Sequence, residues 1–260
     1  MKILCSIFGK CVKNIVVRWS LTQNMSLYQQ LAVGVRYLDM RTCHMRTTNS
    51  FYTVHGVCGN KTSTLFADVL RFLREHPKEV IILDFNHFYN FNDTLHEKFV
   101  SYLKVTFMSK LLMPGTEGAD ISLNEIWKNQ GRIIIFYGNQ LITDKHKCIW
   151  PSESLFSPWP NTSSVPTLIS SLNSRFSTLR PCCFNVFQCV LTPQTSDFVN
   201  HFRSSLKSYL GLRCDAAVSD WLKKVYDARK KGVNIIMCDF VDTDKVVEET
   251  LKLNAMLKLQ

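Results

Sequence analysis

The chain has 260 residues, 46% of them hydrophobic, and its 31 Lys and Arg against 21 Asp and Glu give a formal net charge of +10. A chain of this length buries a sizeable core, and no linker rich in Pro, Gly or Ser divides it, so we predict one large domain. No apolar run reaches the roughly 18 residues of a membrane span, which excludes a predicted transmembrane helix, and the positive charge favours an anionic partner.

The cysteines are scattered. All ten lie outside CxxC pairs and form no regular framework, which is typical of buried or free thiols in a reducing compartment. The N-terminal segment MKILCSIFGKCVKNIVV is interrupted by Lys2, Lys10 and Lys13. We therefore predict no signal peptide and a cytoplasmic location.

Short β-rich apolar runs alternate with segments of helical periodicity along the chain. Several runs are apolar on both faces, as buried parallel strands are. The predicted strands are residues 35–40, 52–54, 80–85, 132–137, 186–191 and 233–238. The predicted helices are residues 64–74, 93–107, 196–209 and 216–230.

Repeated strand-helix units without an interdomain break favour an α/β fold of the TIM type, a β/α barrel. An open doubly wound sheet remains the alternative, because it too gathers functional residues at the carboxyl ends of its strands. Polar residues do follow the predicted strands closely. They are Asp39, Arg41, His55, Asp84, Asn86 and Asp239.

Each of these residues also has a purely structural interpretation. His55, which precedes Gly56, would serve as a turn histidine. Arg41 would form an ion pair with Asp39 or Asp84. Asp239 would end a strand and cap the segment after it. Taken singly, the residues leave both interpretations open.

Taken together, the motifs around these residues carry a resemblance. GVRYLDMR, then VHG, then EHPKEVIILDFNHF and finally GVNIIMCDFVD resemble the phosphatidylinositol-specific phospholipase C X-domain family, and most closely its small stand-alone eukaryotic members. The similarity runs from WSLTQ at Trp19 to the C-terminus and includes WPSES and SPWPNTSS. It implies a TIM-type barrel that cleaves a phosphodiester between glycerol and inositol, through attack by the neighbouring inositol hydroxyl.

The resemblance also implies roles for individual residues. His55 matches the general acid, Arg41 the phosphate clamp and Asp39 the carboxylate beside it. Asp239 matches a carboxylate that orients the base histidine in metal-independent relatives. We predict that Asn86 binds substrate together with Arg41, whose planar fork suits two phosphate oxygens.

Calcium-dependent members of the family carry carboxylates where this chain has Arg41 and Phe85. An arginine in place of a metal ligand predicts a metal-independent site with no cofactor. Asp39, Asp84 and Asn86 remain an alternative set of ligands for a divalent ion, because carboxylate and amide oxygens bind such ions.

The N-terminal segment departs from the family pattern. Family members carry a loop resembling IPGSHDS ahead of the WSLTQ-like segment, with the general-base histidine in it, whereas residues 1–18 contain no histidine and no acidic residue. We therefore expect an atypical segment at 1–18, a PI-PLC X-like domain at 19–260, and a barrel distorted or incomplete at its first strand unless residues 3–8 supply a substitute. We therefore expect weakened phosphodiesterase activity. We also expect His44 to lie in a polar loop and not to take the place of the general-base histidine.

Two classes of function are consistent with these residues. The first is a phospholipase C-type phosphodiesterase acting on phosphoinositides or a related glycerophosphodiester; the second is a non-catalytic phosphoinositide-headgroup or regulatory module. Binding of nucleic acid is a less favoured third possibility, because no helix-turn-helix, zinc or RNP-type pattern accompanies the positive charge.

We expect peripheral contact with anionic membranes, although the basic residues of the last predicted helix are equally consistent with a solvated face. These basic residues are Lys223, Lys224, Arg229, Lys230 and Lys231.

Overall fold

A computed structural model describes residues 2–115, 118–228, 232–243 and 245–257 of the chain. The chain divides into two compact units. Unit I comprises residues 27–156 and 180–185, and unit II comprises residues 1–26, 157–179 and 186–260. No helix of the described residues is both long enough and apolar enough to cross a bilayer.

Helices and strands alternate over much of the chain, as an α/β fold requires. The helices are α1 (Lys2–Ser20), α2 (Leu27–Ala32), α3 (Thr62–Glu75), α4 (Asp93–Phe107), α5 (Leu123–Lys128), α6 (Gln140–Lys145), α7 (Val165–Arg175), α8 (Thr195–Asn200), α9 (Leu212–Asp227) and α10 (Lys245–Leu257). The strands are β1 (Tyr37–Met45), β2 (Ser50–His55), β3 (Val57–Lys61), β4 (Ile81–Tyr89), β5 (Ile133–Tyr137), β6 (Trp150–Pro151), β7 (Leu155–Phe156), β8 (Phe184–Cys189) and β9 (Ile235–Cys238).

Unit I contains a six-stranded sheet in the order β3-β2-β1-β4-β5-β6. β1, β4, β5 and β6 are parallel, which confirms the predicted buried strands at 80–85 and 132–137. The strand predicted at 52–54 is present as β2, and it pairs antiparallel with β1. A hairpin therefore extends one edge of the parallel sheet.

The core of unit I lies between this sheet and helices α3 and α4. Phe66 on α3 packs edge-to-face on Phe85 of β4, and Phe85 packs edge-to-face on Phe99 of α4. All three rings are fully buried. Helix α4 begins and ends where the periodicity predicts, and the side chain of Asn92 caps its start by accepting from the backbone N–H of Leu95. The carboxyl end of β4 is thus held on a close-packed aromatic layer.

Unit II packs helices α7, α9 and α10 on a parallel pair formed by residues 186–189 of β8 and by β9. This pair confirms the strands predicted at 186–191 and 233–238. Phe187 of β8 packs against Trp221 of α9 within the core, with the two rings tilted by 38°. The first two residues of β8 belong to unit I, where they pair with β7.

Two predicted helices differ from the structure in their extent. Helix α9 starts at Leu212, before the predicted start, and ends at Asp227, while residues 229 and 230 lie outside the described part of the chain. The continuous helix predicted at 196–209 is wrong. Helix α8 ends at Asn200, and a π-helical turn, Lys207–Gly211, leads into α9.

The N-terminal segment is helical. Helix α1 runs through Lys2–Ser20 with an interruption at Gly9, whose φ of 70° is left-handed, so the suggested substitute strand at residues 3–8 is wrong. Near the end of this helix, Trp19 is buried and packs on Phe198 and Tyr209 of unit II. The backbone N–H of Phe240 donates to the carbonyl of Thr22 at 2.8 Å. The WSLTQ segment is therefore part of unit II, and a domain boundary after residue 18 stays a prediction.

Candidate active site

Strand β1 carries two charged side chains on one face. Leu38, Met40 and Thr42 are buried, whereas Asp39 is exposed and Arg41 is half-buried. Because successive side chains of a strand point to opposite faces, Asp39 and Arg41 lie together on the face away from those buried residues. A carboxylate and a permanent cation are thus presented two residues apart.

The neighbouring strand β4 contains a β-bulge beside them. Asp39 pairs with Asp84, but Arg41 pairs with His87, because the register shifts by one residue after Met40. Asn86 is the extra residue. Bulges of this kind re-aim side chains and are common next to active sites.

The bulged Asn86 joins two carboxylates. Its Nδ2 donates to Oδ1 of Asp39 at 2.7 Å and to Oδ2 of Asp84 at 2.9 Å. The hydroxyl of Tyr37 on β1 donates to the same Oδ2 of Asp84 at 2.7 Å. These contacts form a continuous polar network from the buried Asp84 to the exposed Asp39.

Asp84 has the strongly perturbed carboxyl group of this network. Burial raises the pKa of Asp84 to about 6 from its ordinary value of 3.8. The hydrogen bonds from Tyr37 and Asn86 oppose this rise in pKa, and the negative charge of Asp39 adds to it. A raised pKa in a carboxylate beside other polar groups is typical of functional sites, and also of structural networks.

His87 is a histidine of this site that the sequence pattern did not single out. Its Nδ1 lies 2.8 Å from Oδ1 of Asn86, and its side chain is exposed. In a regular strand, His87 would point to the face opposite Asn86, so strand alternation gave no reason to place both at one site. The motif LDFNHF holds the signal, but the bulge that realises it depends on pairing with β1.

His55 ends strand β2 and is exposed. The antiparallel hairpin places Thr42 opposite Thr53, so β2 returns along β1 towards the level of Met40 and Arg41 as it reaches His55. Gly56, with φ 67°, then reverses the chain so tightly that His55 pairs with Val57 of β3. One hairpin therefore carries Asp39, Arg41 and His55.

The expectation of a polar loop at His44 is wrong. His44 lies within β1, is buried, and packs on Phe51. Its Nε2 is 3.1 Å from Oδ1 of Asn49 at the turn of the hairpin. Strand β1 is longer than predicted because the hairpin pairing extends it to Met45.

Asp239 follows β9 in unit II. Together with Asp215 it lines a small buried cavity whose other walls are apolar side chains and the thiols of Cys189, Cys214 and Cys238. Burial, and then the negative charge of Asp239, raises the pKa of the Cys214 thiol to about 12. The predicted convergence of Asp239 with Arg41 and His55 stays a prediction.

The metal-independent site stays a prediction, and in the structure Asp39, Asp84 and Asn86 are joined to one another by hydrogen bonds. The amide of Asn86 turns its nitrogen, not its oxygen, towards both carboxylates, and a nitrogen that donates hydrogen bonds is not a ligand for a hard cation. Across the described ranges, no three His, Cys, Asp or Glu side chains form a group that could hold a metal ion.

Comparison with solved structures shows the fold. Phosphatidylinositol-specific phospholipase C from Listeria monocytogenes aligns with a TM-score of 0.68 over 93% of this chain and 88% of that chain, at 18% identity. A phosphatidylinositol-specific phospholipase C from Staphylococcus aureus aligns with a TM-score of 0.66 over 95% of this chain and 87% of that chain, at 18% identity. These similarities confirm the predicted TIM-type β/α barrel fold.

Comparison of sequences shows the family. No family model matches the chain. It is 33% identical over 250 residues to mouse PI-PLC X domain-containing protein 2, covering 95% of this chain and 73% of the relative. It is 31% identical over 252 residues to human PI-PLC X domain-containing protein 3, covering 96% of this chain and 78% of the relative. The chain therefore belongs to the family of PI-PLC X domain-containing proteins.

Proposed function

We propose that the chain is a phosphoric diester hydrolase of the phospholipase C type. Its substrates are phosphoinositides or a related glycerophosphodiester, and its role is in lipid metabolism or signalling. The observation that carries this proposal is the β1–β2 hairpin, which bears a carboxylate, a permanent cation and an exposed imidazole in Asp39, Arg41 and His55.

These side chains suit an intramolecular displacement at phosphorus. An inositol hydroxyl attacks the phosphorus, a new P–O bond closes a cyclic phosphodiester, and the P–O bond to glycerol breaks. Arg41 holds two phosphate oxygens through its planar guanidinium and offsets the charge that develops on them. His55 gives a proton to the departing glycerol oxygen.

Asn86 and Asp39 form the part of the site that binds the headgroup. The amide of Asn86 fixes the Asp39 carboxylate at 2.7 Å, and this carboxylate is exposed and able to accept a hydrogen bond from an inositol hydroxyl. A network anchored on a buried residue holds such groups in place before substrate arrives, which lowers the cost of binding.

Headgroup binding without turnover is the second candidate function. It is favoured by Arg41, which is half-buried and binds phosphate whether or not protons are transferred. A phosphoinositide-binding regulatory module would need Arg41, Asp39 and Asn86 but not the proton transfer by His55.

The partner of the domain in this proposal is an anionic membrane, which it contacts peripherally from the cytoplasm. Unit II exposes apolar side chains at Phe198, Val199 and Phe202, and the exposed Arg203 comes directly after them. Apolar insertion together with basic charge is the usual combination for binding an anionic bilayer. By contrast, Lys223 of α9 pairs with Asp220 at 3.3 Å, which favours a solvated helix face there.

The test compares the chain with its Arg41→Ala and His55→Ala variants. Release of inositol phosphates from phosphatidylinositol micelles reports turnover, and co-sedimentation with phosphatidylinositol vesicles reports binding. A phosphodiesterase loses turnover in both variants, about 10²- to 10⁴-fold for His55→Ala. A binding module shows no turnover in any form and loses binding only in Arg41→Ala. Turnover that is unchanged in both variants would contradict the proposal.

A further inference from the structure

Attack by an inositol hydroxyl needs a base to take its proton, and an exposed imidazole beside Arg41 can serve as one. Five histidines of the described residues contact residues that the proposed function does not use. His44 contacts Asn49, His76 packs on Phe72, His96 contacts Tyr137, His146 contacts Glu97, and His201 stacks on Tyr209. His55 on β2 and His87 on β4 lie on the two strands that flank β1, and the proposed function uses His55 as the acid.

The hydrogen-bond network determines which nitrogen of His87 carries a proton. Ionised carboxylates only accept hydrogen bonds, so Asp39 and Asp84 both require the NH₂ end of Asn86. The amide oxygen of Asn86 is therefore the atom that lies 2.8 Å from Nδ1 of His87. An oxygen that only accepts demands a hydrogen on Nδ1. In the neutral imidazole, Nε2 then keeps its lone pair.

The position of His87 allows the Nε2 lone pair to act in catalysis. His87 pairs directly with Arg41 across the parallel strands, and directly paired residues of adjacent strands project from the same face of a sheet. The imidazole is exposed, so a bound substrate has access to it. A phosphate held by Arg41 would therefore have a proton acceptor on the neighbouring strand.

We propose that His87 is a catalytic residue, the general base that takes the proton of the attacking inositol hydroxyl at Nε2. This rests on the proposed function. The O–H bond of the hydroxyl breaks as its oxygen bonds to phosphorus, and its proton goes to His87. The P–O bond to glycerol breaks, and the glycerol oxygen takes the proton of His55. One proton enters the enzyme and one leaves it, and no other reactant is needed.

Asn86 has the supporting role in this arrangement. By bonding to Asp39 and Asp84 through nitrogen, it offers only oxygen to His87 and so fixes both the tautomer and the ring. Asn86 is thus a positioning residue for His87. Loss of its side chain should lower the rate less than loss of the imidazole itself.

Assays with two substrates distinguish the role of His55 as the acid from the role of His87 as the base. Phosphatidylinositol has a poor leaving group that needs a proton, whereas the nitrophenyl ester of inositol phosphate has one that leaves unprotonated. We expect His55→Ala to lose about 10²- to 10⁴-fold in kcat on phosphatidylinositol and little on the nitrophenyl ester. We expect His87→Ala to lose that factor on both substrates, and added imidazole to restore part of its activity.

The matched control is His76→Ala, which removes an exposed histidine at the end of α3. Thermal unfolding of all variants checks that they fold. If His87→Ala keeps the kcat of the unsubstituted chain on both substrates while Arg41→Ala loses it, the proposed function stands and the role of His87 is wrong. A loss in His87→Ala that imidazole does not restore also contradicts the role. If the unsubstituted chain turns over neither substrate, both the proposed function and the role of His87 fail.

Discussion

The side-chain amide of Asn86 donates a 2.7 Å hydrogen bond to the carboxylate of Asp39, across the parallel pairing of β4 with β1. Asp39 is exposed, and exposed carboxylates ordinarily sample several rotamers. Here the same amide also bonds to the buried Asp84, so Asp39 is tied to the interior of unit I. The position of the exposed Asp39 carboxylate is therefore determined, through Asn86, by the buried Asp84.

Replacing Asn86 tests this link. Asn86→Asp removes both donated hydrogen bonds and adds a third carboxylate, so the free energy of unfolding should fall by about 2 kcal/mol, whereas Asn86→Ala should cost about 1 kcal/mol. Urea denaturation at pH 7 measures both. Asn129→Asp, at an exposed position after α5, is the control and should change stability little. Equal stability of Asn86→Asp and Asn129→Asp would contradict the network.

The buried carboxyl of Asp84 should make stability depend on pH. Its folded pKa of about 6 lies above the ordinary value of 3.8, so the folded state favours the protonated form. Its contribution is fully present below pH 3.8 and is lost as the pH rises through about 6. We expect the difference in unfolding free energy between the chain and Asp84→Asn to change by the order of 2 kcal/mol from pH 4 to pH 7. Parallel profiles in urea would contradict this.

Two thiols beside the site should react very differently. Sγ of Cys43 lies 3.6 Å from Sγ of Cys58, but Cys43 is buried and Cys58 is exposed. Burial, and then its contact with Cys58, raises the pKa of the Cys43 thiol to about 12. Because the thiolate is the nucleophile, iodoacetamide should modify Cys43 at least about tenfold more slowly than Cys58 in the folded chain.

Peptide mass spectrometry after timed alkylation measures both rates. Cys58→Ser serves as the control, since Cys43 should stay protected there by burial alone. In urea the two cysteines should react at similar rates. Equal modification in the folded state would show that Cys43 is not buried in solution.

The apolar side chains of unit II should contribute to vesicle binding. Phe202→Ala and Val199→Ala should each weaken binding to phosphatidylserine vesicles several-fold, about 1 kcal/mol, because each removes apolar area that would enter the interface. Leu141→Ala, at an exposed position of α6 in unit I, is the control. Flotation with vesicles at two salt concentrations separates the apolar from the electrostatic part. Binding that falls equally in all three variants would contradict a localised contact.

The parts of the fold that local periodicity defines were predictable from the sequence. Strand β5 is an unbroken apolar run, and α4 has a capping asparagine and a clear stripe. The apolar segment that contains residues 3–8 suggested a strand where the structure has α1. Its β-branched residues fit either state, and short apolar runs do not distinguish them. The break after α8 was likewise missed, because periodicity continues across it.

The candidate site was predictable only in part for a related reason. Asp39, Arg41, His55 and Asn86 lie at or just past strand ends in the sequence, and their motifs carry the family resemblance. Tyr37 and His87 were missed because their roles depend on a register between β1 and β4, two strands separated by more than thirty residues. Sequence periodicity describes one strand at a time and does not show which residues of two strands pair with each other.

The bulge at Asn86 changes what a single strand can present. In a regular strand, consecutive residues point to opposite faces, so an amide and an imidazole in sequence would be separated by the sheet itself. One extra residue removes that separation, so two consecutive residues can place their functional groups on the same face of the sheet. Deleting Asn86 would restore regular alternation and leave His87 paired with Arg41, but no amide would then lie beside the imidazole on that face. The site depends on the length of this strand as much as on its composition.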